Sequence, residues 1–201
     1  MHIMKKIIIP SILSCVTLSS ANAVVLAYDE DSDGDLGAPT SPTSLVLGVG
    51  TNTIIGEVGA IGDTRDAFSF TLSAGQTLES IILVSYSDPA TESLSDGNPG
   101  FFNLDEGLVS VIPSGVTSGD LLTGSLISGA NNGVDLLELV NQTAGPGLAV
   151  AGELGPGDYT FNIQNTSDAV AYELEFNVVP EPSSTSLLGL SGLFLLMRRR
   201  R

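Results

Sequence analysis

The chain is patterned as an all-β protein whose central region folds as a single β-sandwich of about eight strands. Two observations predict this. Apolar and polar residues alternate with period two in several short runs, and Gly- and Pro-rich turns separate those runs. The body also has no stretch that sustains a long 3.6-residue apolar period, so helices are at most single turns.

The strand candidates follow in order. Asn52 to Val58 is the first. Phe68, Phe70 and Leu72 alternate with Ser69 and Thr71 in the second. Leu78 to Tyr86, with Ile81, Ile82, Leu83 and Val84, reads as a more fully buried strand. Gly107 to Ile112 is a further candidate. Tyr159, Phe161 and Ile163 alternate with Thr160, Asn162 and Gln164. Tyr172, Leu174, Phe176 and Val178 alternate with Glu173, Glu175 and Asn177. Such alternation gives a strand one buried and one wet face. Turns are marked by Ser73-Ala74-Gly75-Gln76, Asp96-Gly97-Asn98-Pro99-Gly100 and Gly155-Pro156-Gly157-Asp158. Asp135 to Val140 is predicted as one helical turn, and residues 87–147 are loop-rich.

Both ends differ from this body. Lys5 and Lys6 precede an apolar stretch from Ile7 to Leu18, then Ser19, Ser20 and Ala21-Asn22-Ala23. A basic, then apolar, then A-x-A order predicts a secretory signal peptide over residues 1–23, removed by signal peptidase. Cys15 is followed by Val16, Thr17 and Leu18, which prolong the apolar run and disfavour a lipid-modified cysteine. Residues 24–44 are rich in Asp, Ser, Thr and Pro and are expected to be an acidic lead-in to a sandwich over 45–178.

The tail, 179–201, contains Pro180-Glu181-Pro182, an apolar run from Leu187 to Met197, and Arg198, Arg199, Arg200 and Arg201. The prolines end a strand and keep the chain extended. From Ser183 to Met197 there are 15 uncharged residues. That is short of the roughly 20 a helical span prefers, but Arg198 can snorkel and the bilayer can thin. A basic cluster stays on the cytoplasmic side, which leaves the body outside. In order and position this tail resembles the PEP-CTERM sorting signal. The resemblance implies an exosortase substrate of a Gram-negative bacterium that makes extracellular polysaccharide. Such a protein is tethered to the inner membrane through its tail before sorting, then reaches the cell surface or extracellular matrix.

The body carries a second resemblance. Asp66, Phe68, Phe70 and Gly75 lie in Gly62 to Leu78, and Gly157 and Tyr159 lie in Leu154 to Phe161. These segments resemble the opening and closing signatures of bacterial pre-peptidase C-terminal domains. That resemblance implies a jelly-roll-like sandwich appended to a secreted protein.

Residues 24–182 hold all 23 acidic residues against a single basic one, Arg65. Such a polyanion repels nucleic acid and attracts cations. The only Cys and the only His lie in the signal peptide, and no Lys remains. Ser-His-Asp and Cys-His catalysis, thiolate or imidazole zinc sites and Schiff-base chemistry are therefore excluded. No catalytic residue is predicted, and nothing pairs two carboxylates as a glycosidase requires.

Oxygen-ligand metal chemistry remains. Asp29, Asp31 and Asp33 take positions 1, 3 and 5 of an EF-hand-type loop, with Gly34 at position 6 and Asp35 following. Alternate carboxylates on such a loop suit Ca²⁺. Position 12 is Thr40 rather than Glu, so a solvated acidic tail is the competing reading. Asp63 and Asp66 flank Arg65 and read either as a stabilised turn or as a sandwich-edge calcium site. The expected role is non-catalytic, structural or binding. The alternative is a calcium-stabilised module for extracellular polysaccharide, disfavoured by the absence of Trp.

Overall fold

The computed structural model describes residues 24–59, 63–88, 98–110, 122–139, 152–165 and 167–181. The predicted signal peptide, the apolar tail, Pro182 and the four terminal arginines lie outside them. Among the described residues, ten strands form two five-stranded sheets. Sheet A is ordered β1 (Val24–Asp29), β3 (Gly50–Val58), β10 (Val170–Pro180), β5 (Gln76–Ser87), β8 (Val134–Asp135). Sheet B is ordered β2 (Thr43–Ser44), β4 (Arg65–Leu72), β9 (Gly157–Gln164), β6 (Gly100–Glu106), β7 (Thr123–Ile127). The all-β sandwich expected from the alternation is present.

Burial alternates along β5 and β10, whereas β4 and β9 are buried on both faces from Asp66 to Phe70 and from Tyr159 to Ile163. Tyr172, Leu174, Phe176 and Val178 of β10 are buried, while Glu173, Glu175 and Asn177 between them are half-buried. Sheet B answers with Phe68, Phe70, Phe102 and Phe161. Phe68 and Phe102 stack on Phe161 with centroids 5.3 and 5.8 Å away. Phe176 meets Phe68, Phe70 and Phe161 edge-on at 5.5, 5.6 and 5.7 Å. Edge-to-face contact sets the positive rim of one ring against the negative face of another.

Three sequence expectations need correction. First, residues 24–44 are not a separate lead-in. β1 pairs in parallel with β3, and β2 pairs in parallel with β4, so this segment crosses from one sheet to the other. Leu36 anchors the crossing at 4 % exposure, and the Ala67 N–H donates to the Gly37 carbonyl at 2.7 Å. Second, Gly107 to Ser110 is a bend rather than the start of a strand. Gly107 takes a φ of 103°, and Leu108 and Val109 point outward. Ser110 is tucked under the sheet against Asp105 and Asn103. The strand lies just before, as β6. Third, Asp135 ends β8 instead of starting a helix. Its carboxylate accepts from the Ile81 and Leu137 N–H groups, which ties the turn that follows to β5.

β4 and β5 belong to different sheets, and the Ser73–Gln76 turn carries the chain between them. Gly75 has a φ of 83°, the left-handed third position of a type II turn. The Gln76 N–H closes the turn onto the Ser73 carbonyl at 3.0 Å.

Truncating Phe176→Ala removes every inter-sheet ring contact just described. It should lower unfolding stability by about 3–5 kcal/mol, as read by urea denaturation. A loss below about 1 kcal/mol would mean that the core repacks around the gap.

Candidate functional site

Asp29 N-caps a single helical turn, α1 (Glu30–Asp33), accepting from the Asp31 N–H at 3.1 Å. The Asp29 N–H in turn donates to Asp33 Oδ2 at 3.0 Å. Gly34, with a φ of 96°, ends the turn, and its N–H reaches back to the Glu30 carbonyl. Asp29, Asp31 and Asp33 thus serve the turn and do not converge on one point. Of the four aspartates proposed as ligands, only Asp35 joins a metal-competent group.

That group is Glu30, Asp35 and Asp66, the single such set among the described residues. One carboxylate oxygen from each lies within 4.8 Å of the others. Three elements supply them: α1, the segment after Gly34, and the start of β4. The sequence pattern passed over Glu30 because an EF-type loop uses alternate positions. The fold uses Glu30 because the turn aims it at β3 instead. Its Oε2 accepts from the Glu57 N–H at 2.7 Å, and its Oε1 accepts from the Leu36 N–H at 2.9 Å. These two bonds fix the carboxylate between the end of β3 and the segment after α1.

Asp66 is fully buried. Its Oδ2 accepts from the Tyr172 hydroxyl at 2.9 Å, while its Oδ1 is buried with no donor. Gly56 makes room for this arrangement: a Cβ there would collide with the Tyr172 hydroxyl and press on Glu30. Burial, with Glu30 and Asp63 nearby, pushes the Asp66 carboxyl up to about 9. Burial raises Glu30, Asp63 and the Tyr172 hydroxyl as well, with Asp35 and Asp63 adding to it at Glu30, Asp35 and Glu57 at Asp63, and Asp66, Glu30 and Asp63 at Tyr172. The Asp66 carboxyl beside Asp63 partly offsets that rise at Asp63. Sequence reading had paired Asp63 with Asp66. It had no means of bringing them to Glu30 and Asp35.

Two physical remedies exist for this crowd of carboxyls. A proton on Asp66 can be offered to Asp63, or a hard cation can sit among the oxygens. The donor set is all oxygen, with at least one carboxylate buried and lacking a donor, as Ca²⁺ prefers. A cavity of about 320 Å³ opens alongside, lined by Asp35, Leu36, Pro39, Asp63, Thr64 and Arg65. It meets the carboxylate group at Asp35; Glu30 and Asp66 do not line it.

The sorting motif lies at the other end of the sandwich. Pro180 closes β10, and both Pro180 and Glu181 are exposed. The Glu181 N–H donates to the Gly75 carbonyl at 2.8 Å. From Asp66 to Leu72, β4 runs between the two ends, roughly 20 Å at the usual strand rise. No helix among the described residues is long and apolar enough to cross a membrane.

With chelator present, the folded protein holds a proton on Asp66 that the unfolded chain releases above about pH 4. Unfolding therefore releases a proton between there and about 9, and stability must fall as pH rises through that window. Melting temperatures at pH 5.5 and 8.5 should show the decline, and Asp66→Asn should flatten it. An unchanged slope in that variant would place the titration elsewhere.

The model for the PEP-CTERM protein-sorting motif matches residues 178–201. No curated protein matches the chain. The chain carries the C-terminal motif of proteins that an exosortase processes on the way to the cell surface.

Proposed function

We propose that this is a non-catalytic surface or matrix protein, whose sandwich is exported, sorted through its tail and stabilised outside the cell by Ca²⁺. The sorting part rests on the motif at 178–201 and on the basic, apolar and A-x-A order of residues 1–23. The stabilising part rests on one observation: Asp66 is buried with an oxygen that has no donor, and Glu30 and Asp35 close on the same point. A cation there would cross-link α1 and the segment after it to β4. That would lock the sheet-to-sheet crossing of residues 24–44 onto the sandwich. The non-catalytic part rests on the missing His, Cys and Lys in the body.

A sugar-binding role draws less support. Tyr86, Tyr159 and Tyr172 are buried in the core, and Tyr28 is half-buried with its hydroxyl donating to the Gly34 carbonyl. None of the four offers an open aromatic platform.

Calcium at about 100 times its Kd should stabilise the folded state by about 2.7 kcal/mol, a rise of roughly 5–10 °C in melting temperature. Glu30→Gln and Asp66→Asn should abolish the rise, whereas Asp31→Asn should keep it. No shift at millimolar Ca²⁺ in the wild type would remove the cation from this reading.

Replacing Pro180, Glu181 and Pro182 together by Ala should leave the full-length form accumulating, as seen by mass on immunoblots of cell fractions. Normal processing and surface delivery of that variant would sink the sorting claim.

A further inference from the structure

The sorting motif is joined to the sandwich with no spacer. The match begins at Val178, inside β10, and Pro180 is at once the last residue of that strand and the first of Pro-Glu-Pro. β10 is an interior strand, held by β3 on one side and β5 on the other. Its pairing with β3 stops at Val178, opposite Gly50. Its pairing with β5 runs on, through Val179 opposite Thr77 and Pro180 opposite Gln76. The Glu181 N–H then bonds the Gly75 carbonyl, so the turn grips the motif beyond the strand itself.

Distance also constrains this end. Only five residues, Pro182 to Ser186, separate Glu181 from the apolar run that starts at Leu187. Fully extended, they span at most roughly 18 Å. While the tail is in the bilayer, the Ser73–Gln76 turn must therefore stay close to the membrane surface.

Resting on the sorting reading above, we infer that the folded sandwich itself restrains the motif: the Ser73–Gln76 end is the surface that a membrane-embedded processing enzyme meets, and the end of β10 must peel from β5 before the enzyme can take up Pro180 and Glu181. An enzyme that binds an extended peptide uses its main-chain groups, and here one of those groups is already engaged by the turn. The opposite edge of the motif is open, because β3 has ended. The restraint is therefore a brake on processing and not a block.

The test follows conversion of the full-length chain in its own host by pulse-chase. A six-residue Gly/Ser spacer between Val179 and Pro180 leaves the motif intact but frees it from β5. Processing should quicken by about tenfold, a factor equivalent to about 1.4 kcal/mol. A rate equal to or slower than wild type overturns the inference. A second variant keeps the test decisive should the spacer loosen the strand. Thr77→Cys with Val179→Cys joins a cross-strand pair, and the only other cysteine, Cys15, lies in the predicted signal peptide. Once oxidised outside the cell, this clamp should slow processing several-fold, and a reductant should restore the rate. A clamp without effect overturns the inference and leaves the sorting reading standing. Absence of any conversion in the wild type sinks both.

Discussion

Phe176 reaches from sheet A into edge-on contact with three rings of sheet B, and the two sheets share one core through it. The body has a single cation, so no lattice of ion pairs can supply cohesion. Apolar burial and ring contacts carry that task. They are indifferent to the surrounding negative charge, which an ion-pair network would not be. The strand that bears Phe176 also bears Tyr172 at the acidic end and Pro180 at the opposite end. β10 is thus the axis along which core, carboxylate site and sorting motif are set in line.

Negative charge nonetheless leaves its mark where it is buried. Asp66 sits at the start of β4 with Tyr172 on one oxygen and no donor on the other. Glu30 and Asp35 are brought to it by a segment that crosses between the sheets. Leu36 in the core and the Glu57 and Leu36 N–H groups on Glu30 hold that segment independently of any ion. The three carboxylates are therefore held together without an ion, so a cation bound there, as proposed, would cost little further ordering. A proton on Asp66 makes the molecule without a metal sensitive to alkaline pH.

Much of the sandwich was legible because apolar residues recur with period two in its interior strands. Phe68 to Leu72, Tyr159 to Ile163 and Tyr172 to Val178 lie in β4, β9 and β10 with the apolar residues inward, but only β10 keeps the wetter second face that alternation predicts: Ser69, Thr160 and Asn162 of sheet B are buried too. The short or polar strands were not legible. β2 and β8 have two residues each and no period to read. β6 carries Asn103 and Asp105 on its second face, buried by the bend at Ser110, so it does not look like a half-wet strand. β1 and β2 were hidden by acidic and turn-forming neighbours whose composition suggested a tail.

The sequence by itself determined the character of the molecule: a C-terminal sorting motif, a body without His, Cys or Lys, and alternation that only sheets can bury. Those properties depend on local composition and order, which folding does not alter. Tertiary structure alone decided which acids meet. Glu30 and Asp66 are far apart in the chain, and their approach depends on sheet register and on the space left by Gly56. It also decided that the sorting motif starts inside a strand. That fact depends on how far β5 outruns β3 beside β10, and no local pattern in the tail encodes it.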